Sequence, residues 1–456
     1  MQLTTSTRRF NLPFHVVRRL DTPKKQYWAI KISGFIIALL MAGIICTILR
    51  PGTFVTFYEQ MFLGCFDPSD IDVLFDLLET IAILLLIAFA LAPVFKMRFW
   101  NIGAEGQILV GCLATAGLTK FLPASLGDPL IIIICLLAGV AAGIIWAVIP
   151  ALFKAFFNTN ETLFTLMMNY VAMGLIALCI NIWVPSGSQV FGRLSGGSLP
   201  ALFGIKYLLN ILIVAVLVVV MVIYMKKTKH GYELSVVGES VNTARYIGIN
   251  VKKVIIRTMI LSGALCGLVG FLLVAGHHHT LSTSLAGGRG FTGVLIAWLG
   301  GFNPGQMILY ATLVGIFDCG SRHAASTIGM STTQFSAIVT GIFFLIVIAT
   351  EFFVNYQIKL KHKEEEETTN KKPALEVASY SASTNEAPAE EVKQEEKKET
   401  PKAESIKKPQ KETKKTVKSE DKKAKALPKV KKPEPKVAPK KAAPKKKTTK
   451  SSKEAK

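Results

Sequence analysis

The chain alternates between long apolar stretches and shorter polar connections. Ten stretches reach or approach the roughly 20 residues that a helix needs to cross a bilayer. They are residues 32–49, 76–95, 103–122, 130–150, 162–184, 206–225, 254–275, 289–300, 305–321 and 335–354. The eighth and ninth are short and rich in glycine. The pattern predicts an all-α polytopic membrane protein with about ten transmembrane helices.

The basic residues of the connections predict the orientation. Seven Lys and Arg residues precede the first stretch, and short basic segments resist translocation, so we expect a cytoplasmic amino terminus. Counting spans from there, Lys96, Lys154 and residues 226–253 also fall inside. The connections that fall outside hold few basic residues and are 51–71, 123–129 and 185–205. Ten spans return the carboxyl terminus to the cytoplasm.

The composition divides the chain into three parts. We expect a cytoplasmic amino-terminal segment at residues 1–31, a transmembrane domain at 32–355 and a tail at 356–456. From Lys359 onward the chain holds 30 Lys and 17 Asp plus Glu, with almost no aromatic residues. Such a segment cannot bury enough apolar surface to fold, so the tail is predicted to be disordered. It is either simply solvated or attracted to anionic lipid or RNA.

Two apolar stretches contain polar residues that are costly inside a bilayer. The sequence NIGAEGQ at residues 101–107 carries Asn101, Glu105 and Gln107, and the fifth stretch carries Asn169. Intramembrane polar and ionisable residues are candidates for a transport pathway. The alternative places Glu105 at an interfacial helix start and uses Asn169 as a contact between helices.

Residues 286–305, AGGRGFTGVLIAWLGGFNPG, form an apolar segment interrupted by glycine. Interrupted segments of this kind often line a transport pathway, although small residues also serve close helix packing. In the next stretch Asp318 is an intramembrane acid, and Arg322 lies one helical turn away as its expected partner. The three consecutive histidines at 277–279 point in different directions on a helix, so we expect no metal site there.

The polar connection at residues 226–253 is basic at both ends and contains signals for a short helix. Ser240 suits an amino-terminal cap, and Gly248 allows the chain to leave the helix. The apolar residues at helical spacing are Val241, Ala244 and Ile247. We interpret this connection as a small helix on the cytoplasmic membrane surface, available to a soluble partner; the alternative is a plain loop.

Four stretches together resemble the permease subunits of bacterial ATP-binding cassette (ABC) importers. The branch is the one that serves branched-chain amino acids, simple sugars and nucleosides, and the likeness is greatest to the nucleoside permeases. The stretches are residues 101–107, 160–170, 231–270 and 288–305. With the spans between them they cover about residues 30–355. The third is the most specific.

The resemblance implies a permease subunit in the bacterial plasma membrane, with an ABC ATPase, a second permease subunit and an extracytoplasmic substrate-binding lipoprotein as partners. Membrane lipids surround it, and no specific nucleic acid, cofactor or metal is implied. The polar connection becomes a coupling helix at about residues 238–248 that contacts the ATPase. Its implied coupling residues are Gly238, Glu239, Ser240, Asn242, Ala244, Arg245 and Gly248. The implied substrate pathway comprises Asn101, Glu105, Gln107, Asn169 and Phe291.

Other functions stay open at this stage. Residues 299–304 read LGGFNP where the family has an LGRNNP-like run, so no cation stands at Gly301 or Phe302. The substrate is either a nucleoside, a sugar or a branched-chain amino acid. An ion-coupled secondary carrier is a different class, favoured by Glu105 and Asp318. We expect no catalytic residues, since no phosphate-binding loop accompanies the LSGG at 194–197 and no nucleophile and base converge.

Overall fold

A computed structural model describes residues 14–19, 23–184, 190–194 and 196–360, which all fall within one structural unit, residues 1–368. Thirteen α-helices occur in this part of the chain. They are α1 Lys24–Leu49, α2 Phe54–Leu63, α3 Ile71–Lys96, α4 Ala104–Phe121, α5 Asp128–Phe157, α6 Glu161–Trp183, α7 Leu208–Lys227, α8 Lys229–Glu239, α9 Val241–Tyr246, α10 Val251–Phe271, α11 Arg289–Leu299, α12 Pro304–Ile328 and α13 Thr332–Asn355. A π-helical segment, Leu272–His278, continues α10, and a 3₁₀ turn, Ala124–Leu126, precedes α5.

Each of the ten predicted spans coincides with one of these helices, and the all-α polytopic fold is confirmed. Seven are long and apolar enough to cross a membrane, namely α1, α3, α5, α6, α7, α10 and α13. The other three are α4, α11 and α12, which contain polar residues or are short. The first helix begins at Lys24, before the first apolar stretch, because the preceding basic residues continue the same helix.

A pair of strands lies outside the helices. β1, Phe14–Arg18, pairs antiparallel with β2, Tyr356–Leu360, and Arg18 stands opposite Tyr356. The sequence analysis assigned residues 356–360 to the disordered tail, whereas here they form a strand directly after α13. The remainder of the predicted tail, residues 361–456, lies outside the described residues.

Two helices form the centre of the bundle. In α3 and α10, 83% and 78% of the most apolar 18-residue window is buried, against 28–33% in the other five candidate spans. The crossing of α5 and α10 depends on glycine, since a Cβ on Gly143 would lie 2.3 Å from the carbonyl oxygen of Gly263. Small residues let membrane helices approach closely. The polar residues considered below lie against this central pair.

Candidate functional site

The loop between α3 and α4 is held by polar side chains of α6. The Ile102 N–H donates to Oγ1 of Thr165 over 3.2 Å, and the Gly106 N–H donates to Oδ1 of Asn169 over 2.9 Å. Nδ2 of Asn169 in turn donates to the Ile102 carbonyl oxygen over 2.9 Å. Because Thr165 and Asn169 are one turn apart and both buried, a single face of α6 fixes the loop.

Glu105 connects the first turn of α4 to the amino end of α11. Its Oε1 accepts the N–H of Gly288 over 2.8 Å, and its Oε2 accepts the N–H of Gly290 over 2.7 Å. The side chain is almost enclosed, with Glu105 only 7% exposed. The positive end of the α11 dipole further stabilises the carboxylate. We call residues 101–107, with their partners on α6 and at 288–290, the polar junction.

The polar junction lies about halfway through the bundle. A Cβ on Gly293, in the first half of α11, would lie 2.4 Å from the side chain of Ile87 on α3. Ile87 is nine residues from the end of α3, which corresponds to roughly 13 Å along a helix. The other end of α11 meets the end of α3, where the rings of Phe302 and Phe95 lie 6.3 Å apart. α11 is therefore a half-span that starts inside the bundle.

Four of the five predicted pathway residues lie in this polar junction. Asn101, Glu105, Gln107 and Asn169 are all buried, and Phe291, at 39% exposure, follows Gly290 directly. Nδ2 of Asn101 and Oε1 of Gln107 are buried without a hydrogen-bond partner. Such groups are costly in a low-dielectric interior. The junction thus retains unused hydrogen-bonding capacity that a ligand or a second conformation can satisfy.

A second polar region surrounds the π-helical segment. Glu79 on α3 accepts from Nδ2 of Asn210 on α7 over 3.3 Å, and its other oxygen lies 3.3 Å from Nδ1 of His277. Nε2 of His277 lies 3.9 Å from Oδ1 of Asp76. The sequence analysis named Glu105 and Asp318 as the intramembrane acids and missed Asp76 and Glu79. The available signal was their position within the second apolar stretch.

The predicted partnership of Asp318 and Arg322 is confirmed. Nη2 of Arg322 lies 3.3 Å from Oδ2 of Asp318 on the same face of α12. Asp318 also accepts from Ser336 on α13, and Arg322 donates to Thr80 on α3 over 3.4 Å. We call Asp76, Glu79, Asn210, His277, Asp318 and Arg322 the charged network. Among the described residues, no group of three or more His, Cys, Asp or Glu side chains is arranged to hold a metal ion.

The polar connection contains two helices. Ser240 caps α9, as predicted, by accepting the N–H of Thr243 over 3.2 Å. Gly238 lies outside α9, in α8, where a Cβ would come within 2.0 Å of the Lys96 carbonyl oxygen. Glu239 is the last residue of α8. The predicted 238–248 helix is therefore divided, because the backbone of Ser240 is extended and its side chain caps the new helix α9.

α9 presents most of its surface to solvent. Tyr246 is 93% exposed, whereas Ala244 is buried in an apolar cluster with Leu234 and Val237. The other exposed residues between Val241 and Gly248 are Val241, Asn242, Thr243, Arg245, Ile247 and Gly248. An exposed Tyr beside exposed Val and Ile is typical of a protein contact. Tyr246 was not singled out from the sequence, since its aromatic side chain fits a buried position equally well.

A cleft of about 800 Å³ opens beside α9. The ends of α5 and α6 form its wall, where Nζ of Lys154 lies 2.7 Å from Oε2 of Glu161. Glu239 and Arg245 also line the cleft. We call the end of the bundle that carries α8, α9 and this cleft the α8–α9 face.

The chain matches the protein family described as "Branched-chain amino acid transport system / permease component" over residues 73–348. It belongs to this family. As a permease component of an ABC importer, it is a multi-pass membrane transport subunit that works in a complex with an ATPase and a substrate-binding partner. The matched residues include the polar junction, the charged network and the α8–α9 face.

Three relatives are named as permeases of ABC transporters. The guanosine permease protein NupP of Bacillus subtilis is 29% identical over 339 residues, covering 72% of this permease and 95% of NupP. The nucleoside permease protein NupB of Lactococcus lactis is 28% identical, covering 69% and 89%. A glucose permease protein of Haloferax volcanii is 28% identical, covering 58% and 72%.

Proposed function

We propose that this permease imports nucleosides and that α9 is the element through which a separate ATPase drives the transport cycle. The observation that supports this coupling role is the exposed surface of α9, above all the side chain of Tyr246. The nucleoside preference rests on the relatives named for guanosine and nucleosides. A secondary carrier is no longer an alternative for a member of this family.

The proposed orientation places the α8–α9 face and both termini in the cytoplasm of a bacterial cell. A second permease subunit and an extracytoplasmic binding lipoprotein complete the assembly, together with the surrounding lipids. In this proposal residues 1–31 are a cytoplasmic amino-terminal segment, residues 32–355 are the transmembrane domain, and the Lys-rich tail takes no part in transport. Truncation after Lys361 then leaves uptake unchanged; loss of uptake would assign the tail an essential partner.

The proposed substrate pathway follows the polar junction. Asn101 and Gln107 each bury an atom that lacks a partner. Phe291, which is 39% exposed, directly follows Gly290, whose N–H binds Glu105. Amide groups and an aromatic ring suit a nucleoside, whose base offers both hydrogen-bonding edges and a π face. Asn169 and Glu105 hold this part of the pathway in shape through their backbone contacts.

The substrate is tested with the assembled transporter in vesicles. Radiolabelled guanosine should enter in an ATP-dependent manner, while glucose and leucine should not. A transporter without this permease provides the background. Uptake of glucose or leucine with exclusion of all nucleosides would reject the substrate assignment while leaving the transport mechanism in place.

The role of α9 is tested by Tyr246→Ala and Gly248→Val. Tyr246 is 93% exposed, and a Cβ on Gly248, just beyond α9, would meet no other atom within 4 Å. The φ of +86° at Gly248 strains any side chain placed there, so its control must carry the same strain. We expect less ATPase in pull-downs from detergent and a loss of coupled uptake, with normal membrane insertion. A Glu239→Lys variant should also uncouple uptake from ATP hydrolysis.

Two matched controls are available on the opposite face. Gly52 has a φ of +85° and equally open space, and Phe203 is 88% exposed. Gly52→Val and Phe203→Ala should retain the ATPase in the same pull-downs. Equal recovery of the ATPase by all four surface variants would reject α9 as the coupling element.

A further inference from the structure

The Glu105 carboxylate is already occupied within the chain. Both of its oxygens accept backbone N–H groups, from Gly288 and Gly290, and the side chain is nearly enclosed. A carboxylate in this state is poorly placed to contact a passing substrate. It is well placed to fix the position of the backbone that it binds.

The backbone that Glu105 binds is the free end of a half-span. The first N–H groups of a helix have no partner inside the helix. Since α11 starts about halfway through the bundle, water cannot readily bind these N–H groups there. The two oxygens of Glu105 accept two of them, those of Gly288 and Gly290. The approach also requires glycine, because a Cβ on Gly290 would lie 2.4 Å from the backbone nitrogen of Glu105.

The backbone on either side of Glu105 is hydrogen-bonded to α6. Asn169 binds the backbone of Ile102 and Gly106, on either side of Glu105, and Thr165 adds a third hydrogen bond. A displacement of this part of α6 must therefore move the first turn of α4 or break these buried bonds. Breaking them leaves backbone groups unsatisfied in the membrane, which is unfavourable.

α6 begins at the α8–α9 face. Asn160 caps it by accepting the N–H of Leu163 over 3.2 Å, and the ion pair of Glu161 with Lys154 ties its first turn to the end of α5 beside the cleft. A continuous series of contacts thus leads from the α9 cleft along α6 to the polar junction and then to α11.

We infer that Glu105 is a positioning residue that fastens the amino end of α11 to the segment held by α6, so that movement of α6 at the α8–α9 face reaches α11 in the middle of the membrane. This inference rests on the proposed function and adds a mechanical role for a residue that the sequence suggested as a substrate contact. Glu105 acts on the substrate only through α11.

The first test compares uptake kinetics of Glu105→Gln, Gly290→Ala and the double variant in the complete transporter, with guanosine as the substrate. The Gln amide keeps one acceptor but turns an NH₂ donor toward the second backbone N–H. Each single change should lower the maximal uptake rate roughly tenfold at an unchanged KM. The double change should also lower it roughly tenfold, since both break the same contact.

Two further variants control for nonspecific effects. Gly341→Ala on α13, where a Cβ meets nothing within 4 Å, should leave uptake normal. Glu105→Asp keeps the charge on a shorter side chain and should recover part of the rate lost in Glu105→Gln. A raised KM with a normal maximal rate in Glu105→Gln would make Glu105 a substrate contact and overturn the inference. Multiplicative losses in the double variant would do the same.

The second test observes α11 directly and needs no transport. Phe291→Cys is labelled with a membrane-permeant maleimide in vesicles, in a background in which the half-buried Cys179 is replaced by Ser. The labelling rate should change when Glu105→Gln is added and stay constant when Gly341→Ala is added.

If the wild-type complex shows no ATP-driven guanosine uptake, the proposed function fails, and this labelling experiment still decides whether Glu105 positions α11. Identical labelling with Glu and Gln at 105 would reject that role.

Discussion

The polar junction and the charged network place polar groups at depth in the same bundle, yet they satisfy them differently. In the junction, Glu105 and Asn169 bind backbone N–H and carbonyl groups. In the network, Arg322 and Asp318 bind each other and the side chains of Thr80 and Ser336. The junction therefore depends on loop shape and glycine, whereas the network depends on charge balance. Substitutions should separate these two modes of stabilisation.

The largest loss of stability should follow from removing one member of the Asp318–Arg322 pair. Arg322→Met leaves Asp318 without its cation, and Asp318→Asn leaves Arg322 without its anion. Removing one partner of a buried ion pair costs about 3 kcal/mol at the lower end of the usual range. We use the lower end because these side chains are 28% and 25% exposed. Equilibrium unfolding in mixed micelles of increasing SDS content measures the loss.

The double variant Asp318→Asn with Arg322→Met provides the matched comparison. It removes both charges, so we expect it to recover most of the stability lost in either single variant. If the double variant is as unstable as the sum of the singles, then shape rather than charge balance governs this part of the network.

A smaller loss is expected in the junction for Asn169→Leu. The change leaves the Gly106 N–H and the Ile102 carbonyl buried without their partner, at a cost of about 2 kcal/mol. Asn169→Asp, protonated at this depth, keeps an acceptor for Gly106 and a hydroxyl donor for the Ile102 carbonyl, so it should lose less. Unfolding in SDS mixed micelles again reports the difference.

Asn355→Leu is the control for this substitution. Asn355 is exposed at the end of α13, where its side chain donates to the Glu351 carbonyl over 2.9 Å. Water can replace that bond, so no measurable loss is expected. A similar loss at Asn355 and Asn169 would show that the Leu side chain, and not the missing backbone contact, causes the instability.

The contacts that could be predicted from the sequence were local. Hydropathy identified the ten spans because each needs a long apolar run, and the Asp318–Arg322 pair followed from helical spacing within α12. The sequence NIGAEGQ stood out because polar residues interrupt an apolar stretch. The partners of Glu105 could not be predicted, since they lie 183 and 185 residues away along the chain.

The same reasoning explains the residues that were missed. Asp76 and Glu79 meet His277 only because α3 packs against the π-helical segment, and nothing local in the sequence indicates that pairing. The division between α8 and α9, by contrast, has a local signal, because the Ser240 cap marks the start of a new helix within the predicted 238–248 segment. Hydropathy likewise did not distinguish the enclosed α3 from the exposed α1, whose mean hydropathies are 2.5 and 2.6.

The smallest effect should come from an ion pair at the surface. Nζ of Lys206 lies 2.6 Å from Oδ2 of Asp72, but the side chains are 63% and 37% exposed, so water screens their attraction. The hydrogen bond to Asp72 raises the pKa of Lys206 above its ordinary value, so the ammonium group, like that of any exposed lysine, is charged throughout the neutral pH range. We expect Lys206→Ala to leave SDS-induced unfolding unchanged in that range. Of these two pairs, only Asp318–Arg322 is shielded from water by neighbouring helices. If Lys206→Ala lost as much stability as Arg322→Met, shielding in the bundle would not be what makes the Asp318–Arg322 pair stabilising.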